Sequence, residues 1–147
     1  MSVTYSFCES CQKVNRVALG NGKRPVCGAC KSELPMHGAV TSVGAAGLSA
    51  LLRKSPLPVI ADFWAEWCGP CKAFAPTFEK AAAELAGKVV FVKVDTEAHQ
   101  QASATYSIRS IPTLILFSDG AERARQSGAL PHAAFVSWIS QATSAAA

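Results

Sequence analysis

The chain has 147 residues, about one ordinary domain, and its 50% hydrophobic content supplies a packed core and excludes a disordered protein. No apolar run approaches the ~18 residues of a membrane span, and Met1 to Cys8 lacks a basic region leading into an apolar one, so no membrane contact and a cytoplasmic location are expected. The formal charge of +4 is mild, and Lys13, Arg16, Lys23, Arg24 and Lys31 gather without interleaved aromatic residues, which is the pattern of a solvated face and not of a nucleic-acid interface.

In chain order, the first informative pattern is Cys8-Glu9-Ser10-Cys11, followed fifteen residues later by Cys27-Gly28-Ala29-Cys30. This spacing lies at the short end of the zinc-ribbon pattern. Each pair bends into a knuckle that offers two sulfurs to one metal. Two knuckles complete a tetrahedron with no open position, so one structural Zn²⁺ per chain is expected on Cys8, Cys11, Cys27 and Cys30. Two disulfides in an exported module are the alternative. Gly20-Asn21-Gly22 signals a turn, with Val14–Val17 and the run around Pro25-Val26 as candidate ribbon strands. A segment of about 35 residues buries too little surface to fold alone, and metal binding would supply the missing free energy. Glu33 to Gly38 reads as a hinge, giving a zinc-ribbon-like domain over 1–35 and a second domain over 39–145. His37 is a linker histidine, because four cysteines already fill the shell.

The second part begins with a short edge strand over 39–43. Leu48, Leu51 and Leu52 mark a helix that stops at Arg53-Lys54, before Pro56. Val59 to Trp64 is a buried strand. The next helix carries Phe74, Phe78, Ala81, Ala82 and Leu85 on one stripe, with Pro76 inside it and Gly87 ending it. Val89–Val94 is a near-continuous apolar run that suits a central strand. A helix is expected over 96–106, a strand over 113–117, a turn at Ser118-Asp119-Gly120, and an antiparallel return over 123–127. A last helix carries Phe135, Trp138 and Ile139, with His99 and His132 on polar helix faces. The fold class is α/β, a mixed sheet with helices on both faces.

Trp67-Cys68-Gly69-Pro70-Cys71 sits between the strand ending at Trp64 and the following helix. Two cysteines three apart at such a junction form a redox device. Cys68 falls where backbone N–H groups and the helix dipole favour a thiolate, the nucleophilic form. Cys68 is therefore the exposed attacking sulfur, and Cys71, deeper, resolves the mixed disulfide. Asp62 lies on a strand facing the core, where desolvation raises a carboxylate pKa. Trp64 is a core residue.

From Val59 to Ile139 the sequence resembles the thioredoxin family. The matching motifs are Asp62 to Lys72, Phe74-Ala75-Pro76, Ile108 to Thr113 and Gly128-Ala129-Leu130. With the cysteine pairs in front, it resembles the zinc-binding bacterial members. The resemblance implies a thioredoxin fold behind a small zinc ribbon. It implies a cis Pro112 packed on the dithiol, Asp62 beneath Cys71 as its proton acceptor, and Lys93 as the charge partner of Asp62. Trp67 would wall the site, and Gly69, Pro70, Ile111, Pro112, Gly128 and Ala129 would line a shallow groove for a partner protein.

The expected function is a monomeric protein-disulfide reductase acting on disulfide-containing protein substrates. The resemblance implies recycling by thioredoxin reductase, an NADPH-dependent flavoprotein. The chain has no nucleotide-binding glycine pattern of its own. A second class of reading is a redox-switched, zinc-sensing binding or holdase module, because zinc thiolates are oxidisable.

Overall fold

A computed structural model describes residues 2–36 and 39–146, so His37 and Gly38 of the expected hinge lie outside the described residues. The N-terminal part is an antiparallel hairpin of β1 (Val3–Phe7) and β2 (Val14–Ala18), with Val3 opposite Ala18 and Phe7 opposite Val14. The remainder runs β3 (Thr41–Ser42), α1 (Ala45–Lys54), β4 (Val59–Trp64), α2 (Gly69–Glu84), β5 (Val90–Asp95), α3 (Gln100–Thr105), β6 (Thr113–Ser118), β7 (Ala121–Ser127) and α4 (His132–Ala146). These strands form one mixed sheet in the order β3-β5-β4-β6-β7, with β3 and β4 parallel to β5 and β6 antiparallel to both β4 and β7. This is the expected thioredoxin-type sheet.

The near-continuous apolar strands are covered on both faces. Side chains alternate across a strand. Val59, Ala61 and Phe63 of β4 enter one core with Leu48 and Leu51 of α1. Ile60 of β4 and Phe91 of β5 enter the other, with Phe74 and Phe78 of α2 and Phe135 of α4. By the same alternation Asp62 and Lys93, which are paired in register, fall on the α2 side of the sheet.

The hairpin is not independent of the sheet. Phe7 is buried in the core of α1 and β4, and its ring lies 2.8 Å from where a Cβ on Gly47 would stand. The Glu9 carboxylate accepts the backbone N–H of Ser42 on edge strand β3 at 3.1 Å.

Three expectations need correction. The partner of β2 is β1 and not the run at Pro25-Val26, where Val26 makes only an isolated bridge to Glu33. Val3, Tyr5 and Phe7 carry the alternation that signals β1. The third helix spans only Gln100–Thr105, because the Asp95 side chain accepts the N–H groups of Glu97 and Ala98 and holds the preceding residues in a turn. His99 is therefore the residue before α3 and not on a helix face, and its ring packs on Gly44. His132 does start α4, where it pairs with Glu84.

Candidate active site and four-cysteine cluster

The dithiol sits at the N-terminus of α2. Cys68 is the N-cap residue, with extended backbone, and its sulfur accepts the N–H of Cys71 at 3.2 Å. Pro70 occupies one of the first helical positions, where a missing N–H is no loss. Cys68 and Cys71 are joined as a disulfide, with Cα atoms 5.3 Å apart. The expectation of an exposed Cys68 fails in this oxidised state, because Cys68 is 4% and Cys71 2% exposed. Two groups crowd Cys68: Cys71 is bonded to it, and the Ile111 carbonyl oxygen lies 3.8 Å from its sulfur.

Beside Cys68 opens a cleft of about 460 Å³ whose lining includes Trp67, Gly69, Pro70 and Ile111. Four groove residues named from the sequence thus converge there. Pro112 and Ala129 do not line it, and neither does Gly128. Gly128 stands at φ +93°, in the left-handed region that favours glycine, and its N–H donates to the Pro112 carbonyl at 2.8 Å. The Ile111–Pro112 peptide is cis and Pro112 is buried. Trp67 is 70% exposed, and its indole N–H donates to Glu97 Oε1 at 2.9 Å.

Asp62 is 4% exposed, and its Oδ1 is buried without a hydrogen-bond partner. Desolvation pushes its pKa up to about 7, against the opposing field of Lys93. Trp64 is half-buried, and its ring lies under the Lys93 ammonium.

The second constellation is Cys8, Cys11, Cys27 and Cys30, whose sulfurs all lie within 4.8 Å of one another. Cys8 and Cys30 sulfurs are 3.7 Å apart, and those of Cys11 and Cys27 are 3.5 Å apart. Four sulfurs at about 2.3 Å from a tetrahedral zinc are about 3.8 Å from one another, so the cluster fits that ion. Cys8, Val17, Cys27 and Leu34 form a small core beneath it. Backbone N–H groups of Cys30 and Ala29 pull the Cys27 thiol down to about 6, while burial pushes Cys11 up to about 12. Asn15 ties β2 to the second cysteine knuckle. Its side-chain N–H donates to Cys27 Sγ at 3.5 Å and to the Lys13 carbonyl at 3.3 Å, and its oxygen accepts the Gly28 N–H at 3.0 Å.

The thioredoxin family model matches residues 39–141, which contain the dithiol, the buried aspartate and the cis-proline loop. The chain belongs to the thioredoxin family. Thioredoxin C-3 of Corynebacterium nephridii is 42% identical over 136 residues, covering 91% of this chain and 92% of that protein. Such a span takes in part of the N-terminal segment that the family model omits. The thioredoxin of Haemophilus influenzae is 41% identical over 102 residues, covering 69% of this chain and 95% of that protein. Thioredoxin C-2 of Corynebacterium nephridii is 48% identical over 84 residues, covering 57% of this chain and 78% of that protein. As a thioredoxin, the chain is a thiol-disulfide oxidoreductase with Cys68 and Cys71 as its redox pair. No helix among the described residues is long and apolar enough to cross a membrane. Sequence reading missed Glu97 and Asn15, whose roles depend on contacts across 30 and 12 residues.

Proposed function

We propose that this thioredoxin reduces protein disulfides and carries one structural zinc, as thioredoxin 2 proteins do. The observation that supports it best is the Cys68 sulfur at the α2 N-terminus, accepting the Cys71 N–H beside an open cleft. A thiolate there is stabilised by the N–H group and the helix dipole. Reduced Cys68 attacks one sulfur of a target disulfide, forming a mixed disulfide and releasing the other target sulfur as a thiolate. Cys71 loses its proton to Asp62, directly or through water, and attacks the Cys68 sulfur. That expels the second target thiolate and leaves the Cys68–Cys71 disulfide. Pro112 and Ile111 flank the target strand, and Trp67, Gly69, Pro70 and Gly128 form the surrounding contact surface. A flavin-dependent thioredoxin reductase using NADPH returns the dithiol.

Zinc on Cys8, Cys11, Cys27 and Cys30 would neutralise clustered thiolates and hold the two knuckles together. The modules are residues 1–35 and 39–145, in a monomeric cytoplasmic protein. Insulin reduction tests the reading: Cys68→Ser abolishes turnover and Cys71→Ser accumulates mixed disulfides. Normal turnover by Cys68→Ser would overturn it.

A second reading, a zinc-sensing holdase module, draws support from Phe7 and Glu9, which flank Cys8 and both touch the sheet domain. Peroxide that ejects zinc and turns on chaperone activity supports it. Zinc that stays bound while Cys68–Cys71 closes refutes it.

A further inference from the structure

The lining of the cleft beside Cys68 leaves out Gly128 and Pro112 and takes in the residues that precede the cis proline in the loop between α3 and β6. The cleft is lined in part by Thr96, Ser103, Ile108, Arg109 and Ser110. Its volume of about 460 Å³ lies in the range of about 300–1,000 Å³ typical of pockets that hold ligands. Its polar equipment is uneven. Thr96 is occupied, its hydroxyl donating to the Trp64 carbonyl at 3.1 Å. The Ser103 hydroxyl oxygen is buried without a partner. Arg109 is exposed and makes no ion pair among the described residues. It is also the one charged residue of the lining. Nearby acidic groups do not cancel it within the cleft. Glu97 holds the Trp67 indole and Glu66 pairs with Lys72 at 3.1 Å, and neither lines the cleft.

We infer that this cleft is a side-chain subsite for an acidic residue of the target polypeptide, close in sequence to the disulfide cysteine that Cys68 attacks. The inference rests on the reductase reading and adds a substrate class to it. A carboxylate in the cleft meets the Arg109 guanidinium, whose planar donors match it. Trp67, held by Glu97, also lines the cleft beside Cys68. Arg109 is then a specificity-determining residue that takes no part in the exchange itself.

The test uses the full, zinc-loaded chain and disulfide-linked peptides identical except for Glu, Gln or Lys beside the reactive cysteine. For an exposed ion pair the expected kcat/KM advantage of the Glu peptide over the Gln peptide is up to about fivefold at low salt, shrinking as salt rises. Arg109→Gln removes that advantage, so that its Glu and Gln peptides turn over at equal rates, and Arg109→Lys keeps part of it. Equal rates for Glu and Gln peptides, a preference for Lys, or an unchanged Glu preference in Arg109→Gln overturns the subsite and leaves the reductase reading intact. No turnover of any of the three peptides overturns both.

Discussion

Asp62 and Lys93 stand opposite each other in register on parallel strands β4 and β5, yet the lysine ammonium lies 4.9 Å from the centre of the Trp64 ring and makes no ion pair with the carboxylate among the described residues. The carboxylate therefore keeps most of its desolvation cost, which Lys93 only moderates.

That cost is visible in stability against pH. The Asp62 carboxyl moves from an ordinary value of 3.8 to about 7 on folding, so the folded state holds the proton more tightly. Below 3.8 both states are protonated and the group contributes nothing. Between 3.8 and about 7 the unfolded chain releases its proton first, so stability falls as pH rises, and above about 7 the loss is complete. Asp62→Asn removes the penalty. Denaturant titrations should show the variant and the parent equal near pH 3.5, with the variant ahead by up to about 4 kcal/mol at pH 8. A constant gap across that range would refute a buried, titrating Asp62.

The same substitution should cost activity in a specific step. If Asp62 takes the Cys71 proton, Asp62→Asn slows release of the target from the mixed disulfide by on the order of 10²-fold, with little change in the first attack by Cys68. Single-turnover kinetics with a fluorescent disulfide peptide separates the two phases. An equal slowing of both phases would remove Asp62 from the proton path.

Phe7 and Gly47 offer a packing test of how the N-terminal hairpin seats on the sheet. Gly47 lies inside α1, where alanine normally stabilises a helix by up to about 1 kcal/mol. Here an added Cβ would stand 2.8 Å from the Phe7 ring, so Gly47→Ala should destabilise by about 1–3 kcal/mol instead. Phe7→Ala should cost about 3 kcal/mol through the lost core ring. In the double variant the Gly47→Ala penalty should vanish, read as non-additive denaturant midpoints. Additive losses would mean that the ring does not rest on α1.

For the metal site, native mass spectrometry should find one zinc per chain. Asn15 reaches Cys27 Sγ and Gly28 N from β2 and so fixes the second knuckle. Asn15→Leu should weaken zinc retention about 10–100-fold, followed by zinc transfer to a competing chelator. Unchanged retention would make Asn15 a bystander.

The sheet was legible where the chain states its neighbourhood locally. Val59 to Trp64 is a continuous apolar run because both faces of β4 are covered, and it was read to the residue. The dithiol was legible because its chemistry is set within one helical turn. The four cysteines declared themselves by spacing, and the structure gathers them. What was hidden depends on distant parts of the chain. Nothing local to Cys68 names Ile111, 43 residues on; the family resemblance alone placed it at the site, and its carbonyl does approach the Cys68 sulfur. Nothing near Trp67 names Glu97 as its partner. The β1 strand did carry a signal in Val3, Tyr5 and Phe7, but a reading centred on cysteines paired β2 with the wrong segment. The shortened α3 followed from one side chain, Asp95, competing for backbone N–H groups.

The most direct measurement is alkylation of the reduced, zinc-loaded protein with limiting iodoacetamide at pH 7, followed by peptide mapping. Modification should fall first on Cys68, at a rate above that of free cysteine, with Cys71 untouched over the same interval. Alkylation of Cys71 first, or of Cys68 no faster than free cysteine, would contradict a nucleophilic sulfur at the α2 N-terminus.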